Sequence, residues 1–176
     1  SEVGHMNIGS GTIIYTDMVK INTAISDASF GRNQVLQDLF TYVKKNNSAL
    51  HLLGMVSPGG VHSHQEHLFA ILREAKKAEV SHVYVHVFTD GRDKPPKSAI
   101  EYIKDLEAVL TEVGNAEIST ISGRYYAMDR DTNWDRVAKA EDALFAGKGK
   151  IYAHADAINV IQDQYDAGTT DEFIVP

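Results

Sequence analysis

Runs of β-branched and aromatic residues alternate along this chain with runs whose apolar residues recur every three or four positions. That alternation restricts the fold more than any other feature. Residues 49–56, ALHLLGMV, read as a buried strand, 81–88, SHVYVHVF, as a second, and 116–122, AEISTIS, as a third. Between them lie helical periods. Asn33 to Lys45 carries Leu36, Leu39, Phe40 and Val43 on one face, and His64 to Glu79 carries Leu68, Ile71, Leu72 and Ala75. Ser98 with Glu101 forms a capping-box signature for a helix through Val113, with Ile103, Leu106, Leu110 and Val113 inward and Gly114 as its stop. Asn133–Ala146 and His154–Ala167 read as further helices, and the EFIV stretch before Pro176 as a fourth strand. Residues 1–11 show no period. Strands alternating with helices imply βαβ units, hence an α/β fold: a mostly parallel sheet with helices on both faces, a three-layer αβα arrangement.

In open sheets of this kind ligands bind outside the carboxyl ends of the strands. Three loops reach that edge. SPGGVHS carries His62, TDGRDKPPK carries Asp90, Arg92 and Asp93, and SGRYYAMDRDT carries Arg124, Asp129, Arg130 and Asp131. Arginine forks match carboxylate and phosphate geometry. The Arg92 cation would favour an ionised Asp93, and such a carboxylate can accept an alcohol proton. Other readings stand beside these. Asp90-Gly91 can simply shape a turn, and Arg92 with Asp93 can be a solvated surface pair. His62, His64 and His67 resemble a metal cluster, although solvent exposure on a first helical turn is the simpler account. His82 and His86 alternate with valines and so share a strand face, and Tyr125, Tyr126 and Trp134 read as packing residues.

A net charge of -7 argues against nucleic-acid binding, since phosphates would be repelled. The chain has no Cys, which excludes disulfides and fits a reducing, cytoplasmic setting. No apolar run reaches membrane-span length and no signal peptide is visible, so no membrane partner is expected. With Ser1 in place of an initiator Met and Pro176 directly after an apolar run, the chain reads as a piece of something longer.

Four motifs in order, SEVGHMNIG at 1–9, GGVHSH at 59–64, DGRDxxPxS at 90–98 and SGRYYAMDRDxxWDR at 122–136, resemble the cofactor-independent (2,3-bisphosphoglycerate-independent) phosphoglycerate mutases. The resemblance implies a two-domain, cytoplasmic, monomeric isomerase of glycolysis whose substrate-binding domain is inserted into an alkaline-phosphatase-like domain. It implies two metal ions, commonly Mn2+, no bound 2,3-bisphosphoglycerate, and exchange of 3- and 2-phosphoglycerate through a phosphoserine. By motif position Ser1 matches the nucleophile and a metal ligand, and Asp93 the general base and acid. His62, Arg92, Arg124 and Arg130 match substrate-binding positions. On this reading residues 1–15 are a strip of the catalytic domain and 16–176 a truncated inserted domain. The remaining metal ligands would lie outside the chain, leaving it without bound metal or activity by itself. Thr12 departs from the family pattern where an Arg is expected, and Asn133 where an Arg is frequent.

Overall fold

The computed structural model describes residues 2–152 and 156–176. Three parallel strands, β1 (Leu50–Met55), β2 (Val83–Thr89) and β3 (Ala116–Gly123), lie in the order β1-β2-β3 with helices around them. Helices α4 (Gln65–Lys77) and α5 (Ala99–Val113) make the two crossovers and pack on each other. Right-handed connections between successive neighbouring strands place both crossovers on one face. Val83, Val85 and Val87 point into that face and are almost fully buried with Leu72, Ile103 and Leu106. Ahead of β1 come α1 (Glu2–Ser10), α2 (Asp17–Ser26) and α3 (Gln34–Lys45). After β3 come α6 (Arg124–Ala127), α7 (Trp134–Ala146) and α8 (Ala157–Asp166), the last packing beside α5 through Ile161.

Local chemistry sets the helix ends. Asn33 caps α3 by accepting from the amides of Val35 and Leu36, and Asp156 caps α8 by accepting from Ile158. Gly114, at φ +70°, closes α5 in the left-handed region. The opposite sheet face is polar at its centre. His86 lies between His51, whose Nδ1 is 2.9 Å from His86 Nε2, and Thr120, whose Oγ1 is 2.9 Å from His86 Nδ1. A register slip between Val85 and His86 skips Ser119 and brings Thr120 opposite His86.

Several expectations need correction. Strand β1 lies at the sheet edge, and His51 and Leu53, which alternate onto the same face as His86, are exposed. Leu39 on α3 is partly exposed. EFIV is not a fourth strand: Asp171–Phe173 form a 3-10 turn, and Ile174 gives β3 a backbone bond from the Gly123 amide. Residues 2–10 are helical despite having no apolar face, and Met6 and Ile8 are exposed. The loop after β3 begins with a short helix, α6. Ser98 heads α5, but its hydroxyl donates to the Pro95 carbonyl and no capping box forms. His82 precedes β2 and is exposed, unlike His86. Trp134 is exposed, whereas Tyr125 packs on Phe173 and Arg136. His154 lies outside the described residues.

Candidate functional site

The carboxyl ends of the strands deliver three loops to one place. After β1, Ser57 is fully buried and its hydroxyl donates to Asp90 Oδ2 at 2.7 Å. After β2, Asp90 is itself buried, and its Oδ1 accepts from the amides of Arg92 (3.2 Å) and Asp93 (2.9 Å). After β3, Arg124 brings Nη1 to 2.8 Å from Asp90 Oδ1 and 2.7 Å from Asp93 Oδ2. His62, from the first loop, places Nε2 at 3.9 Å from the same Asp93 oxygen. Gly91, at φ +70°, turns the chain under this cluster, and a Cβ there would lie 2.7 Å from the Glu172 amide nitrogen.

Asp90 is therefore more than a turn former. Burial alone would raise its pKa, but hydrogen bonds from the Asp93 amide, Ser57, Arg124 and the Arg92 amide outweigh that and hold it below the usual carboxylate range. The same exchange operates on Arg124. Burial pulls its pKa down, while hydrogen bonds to Asp93 and Asp90 raise it above the ordinary value. Its guanidinium is thus a fixed cation. Both contacts to Asp93 fall on Oδ2, leaving Oδ1 without a hydrogen-bond partner among the described residues.

Among the residues singled out from sequence, His62, Asp93 and Arg124 are brought together. Arg92 is not paired with Asp93. The cation on Asp93 is Arg124, and Arg92 turns outward so that Nη1 is 3.5 Å from Glu172 Oε1. Arg130 is exposed and carries no ion pair among the described residues. Asp129 serves helix α7: it accepts from the Asn133 amide at 2.9 Å and from the Arg136 side chain at 3.3 Å. Ser1 lies outside the described residues. His64 caps α4 and His67 Nε2 meets Asn22 Oδ1 at 2.7 Å, so the histidine cluster is built into hydrogen bonds. No group of three or more His, Asp or Glu among the described residues could hold a metal ion.

Sequence reading missed Ser57, Asp171, Tyr165 and Glu172. Asp171 sits 73 residues from Ser98 and Tyr165 sits 68 from Lys97, so no local pattern marks them. Ser57 was visible only as one of several polar residues in a turn.

Residues 21–176 match the family model described as BPG-independent PGAM N-terminus (iPGM_N). The chain belongs to this family. Along its whole length it is 52% identical to the 2,3-bisphosphoglycerate-independent phosphoglycerate mutase of Clostridium kluyveri and 51% identical to that of Myxococcus xanthus, covering 34% of each relative. It thus spans about a third of the length of these proteins. A crystal structure of Leishmania mexicana phosphoglycerate mutase at low cobalt concentration superposes with a TM-score of 0.80 at 30% identity, over 88% of this chain and 29% of that one. The iPGM_N match covers every residue of the Asp90–Asp93–Arg124–His62 cluster.

Proposed function

We propose that this chain supplies the substrate-holding and proton-transfer half of an enzyme that interconverts 3-phosphoglycerate and 2-phosphoglycerate. Residues 16–176 make up most of the inserted substrate domain and residues 1–15 a strip of the catalytic domain, with Ser1 as the phosphoryl acceptor. The observation that carries the reading is the grip on Asp93: Arg124 at 2.7 Å and His62 at 3.9 Å, both on one oxygen, beneath strand ends. An ionised carboxylate held by one oxygen presents the other for a proton. That oxygen can carry a proton to the glycerate oxygen that leaves phosphorus as Ser1 takes the phosphoryl group, and recover one from the other hydroxyl as it attacks the phosphoserine, so the proton count closes over each cycle. Arg92 and Arg130, both exposed, offer forked donors to the phosphate and carboxylate of the substrate. Such contacts keep glycerate from leaving while it reorients, and positioning of this kind supplies much of the rate in phosphoryl transfer. The two divalent ions expected in the whole enzyme would draw their ligands from outside the described residues. The work assigned to this chain is binding and proton transfer.

The test uses the full-length enzyme and 3-phosphoglycerate. Asp93→Asn should lower kcat by roughly 10²–10⁴-fold with the thermal midpoint retained. The parent should release 2-phosphoglycerate, not free phosphate, and the 176-residue chain alone should show no turnover. Full activity in Asp93→Asn would overturn the assignment.

A further inference from the structure

The turn Asp171–Phe173 reaches back to the rim and is fixed there from several directions. The Asp171 carboxylate is fully buried. One oxygen accepts from the amides of Ser98 and Ala99, both at 2.9 Å, and the other from the Tyr165 hydroxyl. Its carbonyl accepts from Thr89 Oγ1 at 2.6 Å, and its amide donates to the Pro96 carbonyl at 2.9 Å. Three residues on, the Ile174 carbonyl accepts from the Gly123 amide at 2.7 Å. Gly91 and Gly123 lie against the backbone of residue 172, where any Cβ would collide with it. Glu172 is therefore pinned at its main chain, and its side chain is only 19% exposed. Arg92 is the opposite case, with a side chain 65% exposed and a single 3.5 Å contact to Glu172 Oε1.

We propose that Glu172 is a positioning residue for Arg92. A rigid carboxylate anchors one corner of a mobile guanidinium at the rim. The contact uses one nitrogen, so most of the five N–H donors remain for an incoming anion. The anion is the phosphate or carboxylate of phosphoglycerate, and this part of the inference rests on the role proposed for Arg92. Without Glu172 the long Arg92 side chain samples orientations that miss the substrate, and binding weakens while the chemical step at Asp93 proceeds as before. The test is steady-state kinetics of the full-length enzyme with 3-phosphoglycerate. Glu172→Gln should raise KM about two- to five-fold, the scale of a partly exposed ion pair, with kcat within about two-fold. Glu172→Asp, which keeps the charge one carbon shorter, should fall between. On an Arg92→Ala background Glu172→Gln should change KM no further. If Arg92→Ala raises KM but Glu172→Gln leaves it unchanged, lowers it, or raises it equally in both backgrounds, the role of Glu172 is wrong and that of Arg92 stands. If Arg92→Ala leaves KM unchanged, the assignment of Arg92 fails and this inference fails with it.

Discussion

At the scale of single residues, the site depends on a buried carboxylate that makes no contact with solvent. Asp90 accepts from the Ser57 hydroxyl on Oδ2 and from two amides and a guanidinium on Oδ1. Removing one partner of a buried, hydrogen-bonded ion pair leaves the other charge uncompensated, which costs about 3–5 kcal/mol. Asp90→Ala should therefore lose stability on that scale by urea unfolding. Ser57→Ala, which removes one neutral donor, should lose about 1–2 kcal/mol. The pH dependence has a definite sign. Asp90 titrates lower in the folded chain than in the unfolded one, so its contribution is fully present above the unfolded carboxylate value near 4. It is lost as pH falls through the lowered folded value, and Asp90→Asn should remove that acid-side loss from the unfolding profile. Little of this was legible in sequence. Asp-Gly announced a bend, and Gly91 does adopt positive φ there. The hub role of Asp90 comes from Ser57 and Arg124, thirty-three and thirty-four residues away.

At the scale of elements, the start of α5 shows why local signals reach only so far. The spacing of Ser98 and Glu101 correctly places a helix N-terminus, and apolar periodicity and Gly114 correctly give its length. The expected cap does not form. Ser98 sits in αR geometry and bonds backward to Pro95, while the free amides of Ser98 and Ala99 are taken by Asp171. A carboxylate at that position is also favoured by the helix dipole. Ser98→Ala should thus cost at most about 1 kcal/mol, near the lower end for a capping hydroxyl. Asp171→Ala should cost about 3 kcal/mol or more, since it strips the cap and orphans Tyr165 and two amides together. Comparing the two variants by denaturant midpoint separates the local cap from the distant one, and equal losses would contradict this account. The strands and crossover helices were legible because burial imposes periods of two and 3.6 on a sequence. The EFIV segment misled because its apolar residues serve a 3-10 turn wedged behind the loops, which has no period to read.

For the molecule as a whole, the three strands are joined on their polar face by the row His51–His86–Thr120, and this row ties the fold to pH. His86 is 3% exposed. Burial lowers its pKa first, and the neighbouring His51 lowers it further. The His51 ring stacks on His86 and tilts against Tyr84, each with centroids 5.2 Å apart. A neutral His86 can donate from one ring nitrogen and accept at the other, which matches one partner on each side. A protonated His86 can only donate, so at least one partner must reorient or release. The folded chain therefore binds the proton less readily than the unfolded chain, whose histidines titrate near 6.5. Stability from this row is present above about pH 6.5 and is lost as pH falls through the lower folded value. Asp171 contributes in the opposite sense. Burial, the leading cause, raises its pKa, so its contribution is greatest below the unfolded carboxylate value and declines as pH rises through the folded one. The two effects oppose each other: the His86 loss begins as pH falls below about 6.5, and the Asp171 loss as pH rises above about 4. Urea unfolding between about pH 8 and about pH 5 should show a midpoint that falls on acidification. His86→Gln keeps one donor and one acceptor but cannot titrate, and should flatten that slope. An unchanged slope in His86→Gln would place the acid sensitivity elsewhere in the chain.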